Sequence, residues 1–201
     1  KLLEEDQPLK GDICKSCDLC IKACPTGALK EAFLFNAKDC ISFLTQKKEM
    51  LNEKEEEAIG KNIYGCDICQ KVCPLNKGVE WTNNQAFKPK TSLAFPILED
   101  VIKMTNKEFK EGFKTTSAGW RGKKILQRNA IISLGNSKDK KAIPILEECL
   151  NDSRWEIRFY TIRALYKFGE NGKEIIKEWF NNEEDIQVRK EIELLLYKME
   201  S

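Results

Sequence analysis

Apolar positions recur at steps of three and four residues through residues 121–201, with lysine and glutamate between them. That period predicts almost continuous amphipathic helix. The pattern also repeats. Ile157-Arg158 returns 31 residues later as Val188-Arg189, and Ala164-Leu165-Tyr166-Lys167-Phe168 returns as Leu195-Leu196-Tyr197-Lys198-Met199. One step back, Leu126 and Leu134 stand where Ile157 and Leu165 stand. The intervening stretches also match, Ile145–Leu150 against Ile175–Phe180. Gly135 and Gly169 follow apolar helix ends and suit C-cap positions, and Asp152 and Ser153 suit the start of the next helix. Upstream the pattern changes. Residues 81–120 form a mixed connector with Pro89 and Pro96, and residues 1–80 read as short, turn-rich segments.

A period near 30 with two helices per unit is the signature of a helical solenoid, in which neighbouring units stack because none buries its apolar stripe alone. The run Ile157-Arg158-Phe159-Tyr160-Thr161-Ile162-Arg163-Ala164-Leu165 resembles the first helix of a HEAT repeat. The resemblance extends over about two and a half units. It implies an interaction surface and names no ligand; a helical bundle without a partner has the same pattern.

The chain has 201 residues, 41% of them hydrophobic and 33% charged, with a net charge of +2. This suits one ordinary domain or two small ones in a soluble, folded protein. No apolar run approaches the roughly 18 residues of a membrane span. The opening Lys1-Leu2-Leu3-Glu4-Glu5-Asp6 has no Met and no apolar signal region, and it reads like the interior of a longer polypeptide. There is no histidine, which excludes a histidine base, histidine-ligated zinc and histidine-ligated haem.

Nine cysteines are present, and all but Cys149 lie between positions 14 and 73. A disulfide scaffold fits poorly with such tight clustering and with a helical, lysine- and glutamate-rich remainder. Cys14, Cys17, Cys20 and Cys24-Pro25 form the CxxCxxCxxxCP run of bacterial ferredoxins, in which the first three cysteines hold one [4Fe–4S] cube and the fourth holds another. Pro25 stiffens the following chain, and Thr26-Gly27-Ala28 supplies a turn with close backbone approach. A second run, Cys66, Cys69 and Cys73-Pro74, is one cysteine short, and Cys40 supplies the eighth ligand. The ferredoxin crossing then assigns Cys14, Cys17, Cys20 and Cys73 to the first cluster, and Cys24, Cys40, Cys66 and Cys69 to the second. Two four-cysteine zinc sites are the rival. Zinc ribbons rarely place three cysteines at steps of three, so the first run favours clusters. Cys149, on an apolar helix face, reads as a buried small hydrophobe.

These segments, together with Lys15-Ser16, Asp39-Cys40-Ile41-Ser42-Phe43-Leu44-Thr45, Ile59–Cys69, Val72–Asn76, Met104-Thr105-Asn106, Trp120-Arg121-Gly122-Lys123-Lys124 and Gln127-Arg128-Asn129-Ala130, resemble the epoxyqueuosine reductase family over essentially the whole chain. The Cys40 segment and Gly65-Cys66-Asp67 are its more specific parts. The resemblance implies the carboxy-terminal half of a cytoplasmic enzyme, monomeric at full length, that reduces epoxyqueuosine to queuosine in tRNA. Two clusters would pass electrons to a cobalamin held by an amino-terminal domain, which would also carry the catalytic acid. The electron donor would be a flavodoxin or ferredoxin, and no membrane is involved. Ser42, Thr45 and Asp67 stand beside cluster ligands and are candidates for cobalamin contact; capping turns and bonding cluster sulfurs is the equal alternative. Other readings are an electron-transfer module of another cobalamin-dependent reductase, such as a reductive dehalogenase relative, or a non-enzymatic ferredoxin with a docking tail.

Between 81 and 130, ten basic residues stand against four acidic ones. Such a surplus suits phosphate contact, with a solvated lysine face as the plain alternative. With the resemblance it points to a tRNA anticodon stem-loop, contacted by Arg121, Lys123, Lys124 and Arg128. Trp120 can stack on an unpaired base, although packing is the more expected role. The expected architecture is α+β, mostly α: a bis-[4Fe–4S] ferredoxin-like domain at 1–80, a basic connector at 81–120 and HEAT-like helical repeats at 121–201.

Overall fold

In a computed structural model the described residues are Gln7, Cys14, 16–79 and 88–200. Lys15, the opening segment and 80–87, at the start of the expected connector, lie outside them. In chain order the elements are α1 (Leu19–Ala23), the strands β1 (Leu29–Glu31) and β2 (Leu34–Phe35), then α2 (Ile41–Leu44), α3 (Glu53–Ile59) and α4 (Ile68–Lys71). There follow α5 (Thr91–Ala94), α6 (Leu98–Lys103), α7 (Asn106–Glu111), α8 (Lys123–Ser137), α9 (Ile143–Cys149), α10 (Trp155–Tyr166), α11 (Glu170–Phe180) and α12 (Ile186–Glu200). The two strands pair antiparallel and form the whole sheet among the described residues. The fold is therefore α+β and mostly α, as expected.

The chain divides into two compact units, and the boundary differs from the one composition suggests at residue 80. The described residues up to Cys40 group with Asp67–Val79, whereas Ile41–Cys66 belongs with the helices that follow residue 88. In the first unit α1 packs against α4, so the helices that follow the two CxxC openings lie side by side. Gly27 takes φ +61° and its amide donates to the Cys24 carbonyl at 3.2 Å. This turn brings Ala28 to 1% exposure.

In the second unit α10 packs on α8, α9, α11 and α12. Ile131, Leu146, Ile157, Ile162, Leu165, Ile176, Val188, Ile192 and Leu195 fill the space between them. Leu44, Leu51 and Ile59, from the segment between Cys40 and Cys66, join the same core. Each α3 and α7 start is closed by a capping box, Asn52 with Glu55 and Thr105 with Glu108. Val101, Met104, Phe109, Phe113, Leu126 and Ala130 form a second apolar cluster where α6 and α7 meet α8.

Helix α8 departs from the amphipathic pattern because it is covered on more than one side, and Ile125–Ser133 are all buried. Gly135 lies inside this helix, not at its C-cap. A Cβ there would stand 2.8 Å from the Cα of Ala164, so glycine allows α8 and α10 to approach closely. The C-cap role falls to Lys138, in the left-handed region at φ 53°. Helix α10 starts one turn-residue later than expected. Asp152 accepts from the Arg154 amide and grips its guanidinium, and Arg154 is the capping position.

Candidate cluster ligands and basic face

None of the nine cysteines forms a disulfide. Cys14 is exposed, Cys17, Cys20, Cys24, Cys40, Cys66, Cys69 and Cys73 are partly covered, and Cys149 is buried. Burial pushes the Cys149 thiol up to about 12, which fits an inert core residue. Cys24 behaves oppositely. Partial burial works against its thiolate, but amides of Leu29, Thr26 and Ala28 and the Thr26 hydroxyl point at the sulfur and hold its pKa below the usual thiol value. The Thr26 Oγ1 lies 3.6 Å from Cys24 Sγ. Amides directed at a sulfur also tune the potential of a cluster bound through it. Among the described residues no three Cys, Asp or Glu side chains are grouped to hold a single metal ion.

The segment ahead of Cys66 is fixed by side chains. Thr45 is fully buried. Its hydroxyl donates to the Ser42 carbonyl at 2.9 Å and accepts from the Gly65 amide at 3.0 Å. Thr45 is thus committed within the protein and is not an exposed cofactor contact, which corrects the expectation. Ser42 is partly covered, and its hydroxyl accepts from the Gln46 amide at 3.4 Å. Asp67 is exposed at the start of α4 and makes no side-chain cap.

The basic candidates separate in the same way. Arg128 is 3% exposed and donates to the Lys47 carbonyl at 2.7 Å and the Leu44 carbonyl at 3.3 Å. A guanidinium spent on buried carbonyls does not reach a phosphate, so Arg128 leaves the nucleic-acid set. Its neighbours act alike. Gln127 donates to the Ile102 carbonyl at 2.6 Å, and Asn129 donates to the Thr45 and Ile63 carbonyls at 2.7 and 2.8 Å. Lys123, partly covered, caps the end of α6 by donating to the Met104 carbonyl at 3.1 Å. Lys124 is exposed and pairs with Glu156 at 2.6 Å.

Trp120 is 61% exposed and is not the packing residue its size suggests. Its indole N–H donates to Gln46 Oε1 at 2.8 Å, and the Arg121 guanidinium lies 3.7 Å over the ring. Nothing in the local sequence pattern marks Gln46 for this role.

Comparison with known proteins places this geometry. Residues 13–76 match the family described as a 4Fe-4S double cluster binding domain, and residues 122–196 match HEAT repeats. The chain is 43% identical to the epoxyqueuosine reductase of Listeria monocytogenes over 94% of its own length and 50% of that protein. The Bacillus subtilis epoxyqueuosine reductase is also 43% identical, over 94% of this chain and 50% of the relative. An uncharacterised protein of Geobacillus stearothermophilus is 40% identical, over 93% of this chain and 87% of that one. A crystal structure of epoxyqueuosine reductase with a modified tRNA-Tyr stem loop superposes with a TM-score of 0.88 at 41% identity, covering 98% of this chain and 53% of that one. The chain therefore spans about half the length of the curated reductases it matches.

Proposed function

Since this chain belongs to the epoxyqueuosine reductase family, we propose that it is the electron-delivering, RNA-contacting, carboxy-terminal half of an enzyme that reduces epoxyqueuosine to queuosine in tRNA. One observation carries the reading. Eight cysteines, none in a disulfide, stand in the spacing of a double-cluster domain within a chain that follows the reductase fold over nearly its whole length.

The donor set fits two cubes: Cys14, Cys17, Cys20 and Cys73 for one, and Cys24, Cys40, Cys66 and Cys69 for the other. When bound, such clusters supply single electrons at low potential. The chain's own residues would hold the thiolates, with the amides around Cys24 favouring its ionised form. A cobalamin bound by the other half of the enzyme is the acceptor in this reading, and the catalytic acid belongs to that half. Ser42 and Asp67 are the remaining candidates for contact with it. Reducing equivalents enter from a flavodoxin or ferredoxin, in the cytoplasm.

Arg121, Lys123 and Lys124 form the nucleic-acid face, with Trp120 offering a stacking surface beside them. Cations near phosphates give binding that weakens with salt, and an exposed indole stacks on an unpaired base. The ion pair of Lys124 with Glu156 is surface-exposed and exchanges readily for a phosphate.

Anaerobic iron and sulfide analysis with EPR of the reduced chain, with and without cobalamin, tests the first half. About eight irons per chain and coupled cluster signals are expected, and zinc uptake in place of iron overturns it. Charge reversal at Lys123 and Lys124 tests the second half. Loss of at least about tenfold in affinity for an anticodon stem-loop, with a shallower salt dependence, is expected; unchanged binding overturns the RNA face.

A further inference from the structure

The first repeat helix is linked, through Thr45, to the residue before Cys66. Asn129, on α8, is fully buried, and its amide nitrogen bridges the Thr45 and Ile63 carbonyls at 2.7 and 2.8 Å. Thr45, equally buried, accepts from the Gly65 amide at 3.0 Å, and Gly65 adopts φ +74°. The residue bonded to Gly65 is Cys66. Arg128 adds its bonds to the Leu44 and Lys47 carbonyls, on either side of Thr45. The same short stretch is covalently joined to Cys40, which immediately precedes α2. Three buried polar side chains therefore converge on one length of main chain whose two ends carry cysteines.

Packing alone does not require this. Replacing both members of a buried hydrogen-bonded pair by apolar groups of similar shape is often close to neutral in stability. Buried polar networks fix a particular geometry when fully satisfied. Here the geometry fixed is that of the Tyr64–Gly65 peptide, one residue before Cys66, at a glycine whose positive φ other residues rarely adopt.

We infer that Thr45 and Asn129 are positioning residues for the Cys66 thiolate, holding it in the orientation that the second [4Fe–4S] cluster takes. The inference rests on the cluster reading above. Ligand orientation and the hydrogen bonds around it set cluster potential, so α8 belongs functionally to the electron-transfer site as well as to the repeats.

The test compares the full chain, reconstituted anaerobically, with Thr45→Val, Thr45→Ser and Asn129→Ser. Valine keeps the shape of Thr45 and removes the acceptor for the Gly65 amide. In T45V one of the two cluster signals shifts in reduced-state EPR and in redox titration, or iron falls from about eight towards about four per chain, while the other cluster is unchanged. T45S restores the parent behaviour. N129S, which leaves the Thr45–Gly65 bond in place, moves the same signal by less. T45V and N129S with both signals and both midpoints unchanged, or all variants including T45S losing both clusters alike, overturn the proposal. A parent chain that takes up no iron overturns the cluster reading and this proposal together, whereas a parent with two cubes and a silent T45V overturns this proposal alone.

Discussion

In the unit that carries the first cysteine run with Cys40, Cys69 and Cys73, Ala28 is the one buried apolar side chain among the described residues, while Leu19, Phe33, Leu34, Phe35, Leu75 and Val79 are exposed. In the helical unit two apolar clusters run from Leu44 to Leu195, and buried polar groups are almost all paired. The first unit has seven of the eight cysteines proposed as ligands and little buried apolar surface among its described residues. The second has a core and one of those cysteines, Cys66. Metal binding supplies folding free energy where a core does not, so the first unit is the one expected to depend on iron.

The strongest way to break this contrast is to remove the iron. Chelation of the reconstituted chain is expected to strip amide protection from 16–40 and 67–79 and to leave α8–α12 protected in hydrogen exchange. Simultaneous loss in both regions would show that they share one folding unit.

Next in size is a cut inside the helical unit. Arg158 grips Glu183 through two bonds of 2.6 and 2.8 Å, and the Glu183 side chain is fully covered. Burial opposes ionisation of Glu183, and the bonds from Arg158, the Asp185 amide and Trp179 together hold its pKa below the usual carboxylate value. Arg158→Ala removes the cation from that carboxylate, leaving it the Trp179 indole and the Asp185 amide, and is expected to cost about 2–3 kcal/mol, read as a lower denaturation midpoint for helix, with iron content retained.

A smaller and pH-dependent test uses Glu56 of α3. Burial raises its pKa from 4.5 to about 7, against the pull of Arg163 and Lys167. Arg163 Nε is 3.3 Å from Glu56 Oε1, within ion-pair range, yet that oxygen accepts no aligned hydrogen bond. Between these pKa values the folded chain keeps a proton that the unfolded chain has released. Stability is therefore expected to fall as pH rises from about 4.5 to about 7 and to level off above, by at most about 3 kcal/mol. Glu56→Gln removes that decline. Urea unfolding at pH 5 and pH 8 should show the variant gaining on the parent only at the higher value.

The double-cluster cysteine pattern was legible in sequence because its three-residue spacing is itself the chemistry, and the repeats because their period is set by stacking. The unit boundary was not legible. Residues 41–66 sit between cysteines, and nothing in their composition shows that Leu44, Leu51 and Ile59 enter the helical core. Arg128 misled for a related reason: an arginine in a basic stretch looks the same whether it meets a phosphate or the carbonyls of Leu44 and Lys47. Trp120 misled in the opposite direction, since a large aromatic is usually packed and here projects outward.

The bond between Asn129 and Thr45 joins residues 84 apart in sequence. On a ribosome, Cys66 leaves the exit well before α8 does. Its neighbouring peptide has no clamp until some sixty further residues have been added, at several seconds of synthesis at ordinary rates. If Thr45 and Asn129 position Cys66 as proposed, the first-run cysteines are free to collect iron during that interval, whereas the second cluster's site waits for the repeat helix. On that reading the order of translation and the order of maturation differ, and the later half of the polypeptide finishes a site that the earlier half began.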